Sequence, residues 1–192
     1  MRILITGGAG FIGSHLCERL VAEGHKVAVI DDFSTGRVAN LISLKNVVDF
    51  KLVEGSILDT KVLAPLIEEA DYVFHLAAQS FPQTSFTAPL QTFDVNILGT
   101  YRLLNSIHEI VPDAIVHVCS SSEVFGRVPT EFVPIKEDTP FHPFFVDRLK
   151  LVKYQEFVPH RPVQGFNETV VGGPARTTEV HPNFVTMCVV KA

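Results

Sequence analysis

Five short apolar runs alternate with stretches of helical periodicity along this chain, and that alternation leaves few folds open to it. Residues 3–5, 27–30, 49–53, 72–76 and 115–118 are short and often β-branched, the pattern of strands buried on both faces. Between them, residues 11–22, 61–69 and 90–110 carry apolar side chains at helical spacing. Such alternation predicts an α/β fold built on a doubly wound parallel sheet. With 192 residues, 46% of them hydrophobic and 19% charged, the chain can bury a sizeable core and fits one domain.

The first predicted strand runs into Thr6, Gly7, Gly8, Ala9, Gly10, Phe11, Ile12 and Gly13, where a helix is expected to begin. Three glycines at this spacing have separate uses. Gly7 permits a tight turn, Gly10 lets a pyrophosphate approach the backbone, and Gly13 lets the helix pack against the sheet. The helix N-terminus then offers unpaired N–H groups to the anion. A glycine cluster also serves ordinary turns, so the context decides. The second strand ends in Asp31 and Asp32, where a carboxylate can accept both hydroxyls of a ribose. An acid here repels a 2′-phosphate, and no arginine follows until Arg37, so the expected cofactor is NAD rather than NADP. Asp32, Ser34 and Thr35 either add contacts near the adenosine or simply form the turn.

The net charge of -5, with acidic residues dispersed, leaves no basic stripe for a phosphate backbone, and no nucleic-acid partner is expected. Met1 to Thr6 is apolar but reaches glycine too soon for a signal-peptide core or a membrane span. Cys17, Cys119 and Cys188 are odd in number, far apart and without CxxC spacing. They read as free thiols of a cytoplasmic protein. The eight histidines show no ligand spacing, so no metal is expected. His75 at a strand end reads as a satisfied core residue, and His142 and His181 as surface residues.

Further segments carry a family resemblance over residues 1 to about 143. His75, Leu76, Ala77 and Ala78 close the fourth strand, and Asn96 lies within Asp94-Val95-Asn96-Ile97-Leu98-Gly99-Thr100. With the glycine turn, these segments resemble the NAD-dependent epimerase/dehydratase family, the extended short-chain dehydrogenases/reductases with a Rossmann fold. The resemblance implies that Leu76, Ala77, Ala78 and Asn96 lie beside the cofactor, with Phe11 and Ile12 at its pyrophosphate. It also places Ser56 and Ile57 at the adenine. Relatives commonly have an acid where Ser56 stands, and a hydroxyl there weakens adenine binding by around 1 kcal/mol.

After the fifth strand, Cys119-Ser120-Ser121-Ser122-Glu123-Val124-Phe125-Gly126 resembles the family segment that carries the serine of a Ser-Tyr-Lys catalytic set. The resemblance makes Ser121 the hydroxyl that bonds the sugar's 4-oxygen while a tyrosinate takes the proton and the nicotinamide takes hydride. Glu123 stands where dehydratases keep an acid to remove the C5 proton. Its bland alternative is a cap on the following turn. Residues 77–80, 84–86 and 139–143 are similar to GDP-mannose 4,6-dehydratases. That implies a nucleotide-sugar substrate, a GDP-sugar by preference, with Gln79, Ser80, Ser85 and Ser122 on the substrate side. A 4-epimerase and a catalytically inactive NAD-binding module are the competing readings.

The resemblance stops near Pro143. The family pattern expects Tyr-x-x-x-Lys next, but no such spacing occurs anywhere in the chain. Counted from Ser121, Val146 stands at the tyrosine position and Lys150 at the lysine. Tyr154 lies two helical turns further on, roughly 12 Å along an axis, too far to substitute. Residues 1–143 are therefore expected to form the Rossmann domain. Residues 144–192 are expected to be an atypical tail, with a helix only at 148–157 and the C-terminal substrate domain truncated or absent. The resemblance also implies a homodimer, with residues 90–110 supplying one half of a helix bundle.

Overall fold

The computed structural model describes residues 1–121, 124–126, 128–136 and 138–140, and the backbone of 185–189. Five strands are mutually parallel: β1 (Arg2–Thr6), β2 (Lys26–Asp31), β3 (Phe50–Glu54), β4 (Tyr72–His75) and β5 (Ile115–Ser120). A sixth, β6 (Val185–Val189), completes the order β3-β2-β1-β4-β5-β6. The chain winds outward from β1 to β3, then returns across β1 to start β4. Its direction reverses between β1 and β4, and the crevice at the carboxyl ends of those two strands is the switch point of a doubly wound sheet.

Alternation along each strand feeds two separate cores. In β1, Leu4 faces one side with Ile30, Val73 and Val116, while Ile3 and Ile5 face the other with Val27 and Val29. Leu63, Leu66 and Ile67 of α2 (Thr60–Glu68) cover the first side, joined by Leu103 and Ile107 of α5 (Thr100–Ile110). Cys17 and Leu20 of α1 (Phe11–Ala22) cover the second, with Leu41 and Leu44 from a 3₁₀ turn at Val38–Leu44. Each fully buried leucine or isoleucine contributes about 1.5–3 kcal/mol relative to exposure. The two cores follow from residues spaced by two in the strands and by three or four in the helices.

The helix expected over 90–110 proves to be composite. Pro82 and Pro89 open two short helices, α3 (Pro82–Thr87) and α4 (Pro89–Phe93), each with proline in its first turn. A π-helical turn, Asp94–Gly99, then joins α4 to α5. Periodicity alone does not reveal such a turn, because one widened turn leaves the apolar face nearly continuous.

The chain divides into two compact units, one holding residues 1–118 and 182–186, the other beginning at Cys119 within β5. Of the second unit, the described part contains a 3₁₀ turn at Thr130–Phe132. The helix expected at 148–157 lies outside the described residues. β6 has no counterpart among the strands expected from the sequence, because four prolines across the tail obscure its Val-Thr-Met-Cys-Val run.

Candidate functional site

The glycine turn sits at the switch point, and its geometry separates what each glycine does. Gly7 has φ +74°, the left-handed region, and a Cβ there would lie 2.7 Å from the backbone N of Ala77. The turn and the end of β4 thus touch backbone to backbone. A Cβ at Gly13 would collide with Gly7 O and lie 2.7 Å from Gly8 Cα, so only glycine lets α1 start this close to the turn. Gly10 differs. A Cβ there would meet only Gly7 O, at 3.3 Å, so the chain leaves that side open, as an approaching phosphate requires.

Gly10 is also the N-cap of α1, with no side-chain cap and no acid in the first turn. The N–H groups of Phe11, Ile12 and Gly13 therefore lack intrahelical acceptors and form the positive end of the helix dipole. Phe11 and Ile12 are exposed, at 79% and 51%, and form an apolar lip beside those donors.

Ala9 in the turn is braced from three directions. Its N–H donates to Asp31 Oδ2 at 2.8 Å, while its carbonyl accepts from Arg37 N at 3.0 Å and Asn40 Nδ2 at 2.8 Å. Asp31 is buried at the end of β2, and its Oδ1 accepts from Phe33 N at 2.9 Å. Each oxygen keeps a further lone pair. A Cβ at Gly36 would fall 2.9 Å from Oδ1, so only glycine lets residue 36 lie this close to the carboxylate. Asp32 Oδ1 accepts from Ser34 N at 3.0 Å, and Ser34 and Thr35 are exposed. Asp32 and Ser34 thus build the turn after β2, whatever else they contact.

Two residues here escaped the sequence reading. Gly8 is needed because a Cβ would press to 2.6 Å from a methyl of Val29, a constraint that exists only once the turn lies over β2. Asn40 reaches the turn only because the 3₁₀ segment folds back beneath it, and no local motif signals that.

On the other side of the crevice a directed chain of hydrogen bonds runs through His75. Ala77 N–H donates to Thr6 Oγ1 at 3.2 Å, and Thr6 Oγ1 lies 2.7 Å from His75 Nδ1. His75 Nε2 lies 2.9 Å from Thr100 Oγ1, which donates to Asn96 O at 2.8 Å. Since Thr100 gives its proton to Asn96, His75 Nε2 must donate, and to a neutral ring Thr6 donates at the unprotonated Nδ1. The ring is neutral in this arrangement. Burial, which leaves 4% exposed, pushes its pKa down to about 4. His75 is the satisfied core residue expected from the sequence, with Thr6 and Thr100 as its partners.

Asn96 occupies the π turn, and its side-chain amide clasps one backbone position: Gln79 N donates to Oδ1 at 2.7 Å, and Nδ2 donates to Gln79 O at 3.1 Å. The clasp fixes residues 76–79 along the crevice. Leu76 and Ala77 are half-buried there and Ala78 is exposed. Ile57 is buried against Gly99, where a Cβ would come within 2.7 Å of its Cδ1. Ser56 is half-buried, with Oγ accepting from Leu58 N at 3.2 Å.

The residues expected on the substrate side are less gathered. Ser80 is exposed, and Ser85 turns its hydroxyl back onto Pro82 O at 2.5 Å within α3. Ser121 is exposed one residue past β5, its carbonyl accepting from Val124 N at 3.3 Å. Ser122, Glu123, Val146, Lys150 and Tyr154 lie outside the described residues, as do His142 and His181. No helix among the described residues is long and apolar enough to cross a membrane.

Three comparisons show what this chain is similar to. The family model described as GDP-mannose 4,6 dehydratase matches residues 4–145. A UDP-glucose 4-epimerase of Mycolicibacterium smegmatis is 40% identical over 144 residues, 74% of this chain and 45% of that protein. UDP-glucuronic acid decarboxylase 1 of Danio rerio is 37% identical over 137 residues, 71% of this chain and 31% of that one. A dTDP-glucose 4,6-dehydratase from Streptomyces venezuelae, solved with NAD bound, superposes with a TM-score of 0.68 at 31% identity, covering 74% of this chain and 46% of that one. The chain spans less than half the length of each of these relatives. A family model matching residues 4–145, from β1 to beyond β5, together with relatives above 30% identity over about three quarters of the chain, means that the chain belongs to the NAD-dependent epimerase/dehydratase family of nucleotide-sugar enzymes.

Proposed function

We propose that this chain is the NAD-binding part of a 4,6-dehydratase-like protein acting on a GDP-sugar, and that its oxidation step is impaired by the missing tyrosine. The observation that carries the cofactor reading is the pairing of an open Gly10 and an uncapped α1 with the Asp31 carboxylate, which accepts from Ala9 N in the same turn. The N–H groups of Phe11, Ile12 and Gly13 bind pyrophosphate, and Asp31 accepts the adenosine ribose hydroxyls. Leu76, Ala77, Ala78 and Asn96 line the far end. When bound, NAD supplies the hydride acceptor for C4 of the sugar.

Ser121 holds the sugar's 4-oxygen, Glu123 removes a C5 proton, Lys150 binds the ribose, and Gln79, Ser80, Ser85 and Ser122 contact substrate. With Val146 at the tyrosine position, the C4 hydroxyl has no base, and the loss is of order a hundredfold or more. The GDP-sugar reading is supported by the segments at 77–80, 84–86 and 139–143 and by the family model over residues 4–145. A second reading, a UDP-glucose-type 4-epimerase in which Glu123 is incidental, is favoured by the 40% identity to such an enzyme. The odd number and wide spacing of the three cysteines, without CxxC spacing, support a cytoplasmic location. A homodimer through the α4–α5 face completes the proposal.

Calorimetric titration with NAD and NADP, followed by an assay for a 4-keto product from GDP-mannose, tests it. NAD is expected to bind at least about tenfold tighter than NADP, because the Asp31 carboxylate meets a 2′-phosphate with like charge. Product should form at least about a hundredfold more slowly than in an intact relative. Turnover at a relative's rate sinks the impaired-base reading, while failure to bind NAD sinks the cofactor reading. Product from UDP-glucose alone makes the epimerase reading the better one.

A further inference from the structure

In the loop after β2 the backbone turns into the left-handed region at a residue that carries a large side chain. Among the described residues Phe33 alone has positive φ without being glycine, at +56°. A Cβ in that region crowds the following carbonyl, which is why glycine or asparagine usually stands there. For a side chain as bulky as phenylalanine such a backbone is an outlier, and the surroundings must hold it in place.

Two sets of contacts do so. The Phe33 side chain is half-buried and packs against the core that includes Ile5, Cys17 and Val29, between the sheet and α1. Its N–H donates to Asp31 Oδ1 at 2.9 Å, and the next N–H, of Ser34, donates to Asp32 Oδ1 at 3.0 Å. The loop then folds straight back: Arg37 N reaches Ala9 O at 3.0 Å, and a Cβ at Gly36 would meet Ala9 at 3.0 Å. Two backbone donors therefore grip the Asp31 carboxylate, Ala9 N on Oδ2 from the glycine turn and Phe33 N on Oδ1 from the left-handed turn. With both in place the carboxylate cannot swing about its own axis without losing a bond.

We infer that Phe33 is a positioning residue for the dinucleotide. Its ring pins the backbone in the left-handed turn that brings Phe33 N–H to Asp31, so the carboxylate is oriented before any ribose arrives. The inference rests on the NAD reading above and adds which side chain sets the geometry of the acid. An acid ordered during folding needs no ordering during binding. Loss of the ring therefore weakens recognition of the ribose hydroxyls and spares the pyrophosphate, which meets α1 rather than this loop.

The readout is the ratio of affinities for NAD and for its analogue lacking the adenosine 2′-hydroxyl, each titrated calorimetrically into one sample of the full chain. An unfolded fraction lowers the stoichiometry of both titrations alike and leaves the ratio unchanged. Wild type is expected to favour NAD by at least about tenfold, the scale of a hydrogen bond to a charged group. Phe33→Gly keeps access to the left-handed backbone and loses the ring, so its ratio should fall below about threefold. Phe33→Asn, which also tolerates that backbone, should match it, and carries the test if the glycine variant fails to fold. Phe33→Leu restores an apolar anchor and should stay within about twofold of the wild-type ratio. A wild-type ratio in Phe33→Gly or Phe33→Asn overturns the inference and leaves the NAD reading intact, and so does a ratio in Phe33→Leu as low as theirs. Wild-type chain that binds both dinucleotides equally removes Asp31 from the ribose and the inference with it. Wild-type chain that binds neither overturns the NAD reading itself.

Discussion

His75 shows how much one buried side chain can tie together. It bridges Thr6 at the end of β1 to Thr100 at the start of α5, and through them Ala77 and Asn96. The ring must stay neutral to keep both bonds in their directions, and burial holds its pKa down to about 4. An unfolded histidine titrates near 6.5. Below that pH the unfolded chain binds a proton that the folded chain refuses, so stability is full above about pH 6.5 and declines as pH falls toward 4. Urea unfolding at pH 7 and pH 5 should differ by about 2 kcal/mol on this account. His75→Gln, which cannot titrate, should lose that part of the slope; an unchanged slope would show that other groups cause it. The residue was legible as a core histidine from its place at a strand end. Its partners were not, because Thr6 and Thr100 are distant in sequence and met only when β4 paired with β1 and α5 packed above them.

The connection after β4 and the π turn work as a pair of elements. Asn96 presents its amide to Gln79 because the widened turn Asp94–Gly99 places it there, and both amide groups bond the same backbone residue. Asn96→Ala leaves a part-buried N–H and C=O unpaired and is expected to cost about 1–3 kcal/mol. Hydrogen exchange at the Gln79 amide locates the damage: it should quicken in Asn96→Ala while amides in β1 and β2 keep their protection. Equal loss across the sheet would mean that the clasp is not a local device. Asn96 was legible as a candidate within its Asp-Val-Asn run, whereas the π turn was invisible, since the periodic face of 90–110 reads as one ordinary helix. Glycine told more. Its positions at 7, 10 and 13 carry the turn's geometry directly, because backbone φ and the room for a Cβ are nearly local properties.

At the scale of the whole molecule, α4, the π turn and α5 expose a stripe of large apolar side chains: Leu90 (78%), Phe93 (43%), Ile97 (47%) and Tyr101 (54%). Their spacing of three and four keeps them on one face, and a contiguous patch of this kind marks an interaction surface. The proposed homodimer uses that face. Wild-type protein should sediment at twice the 21.2 kDa chain mass. The double variant Leu90→Glu, Phe93→Glu should sediment as a monomer whose NAD affinity is within about twofold of wild type, since neither residue adjoins the glycine turn. Wild-type protein that sediments as a monomer at every concentration removes the homodimer from the proposal. By itself the sequence determined the alternation of strands and helices, the parallel sheet and the glycine turn with its acid. These depend on periodicity and on backbone freedom within a few residues. Only the tertiary structure decided that Gly8 must clear Val29, that Asn40 braces Ala9, and that His75 and Asn96 join β1, β4 and α5 into one crevice. Those bonds span up to 71 residues of chain, and no local pattern encodes a partner that arrives only when the sheet is assembled.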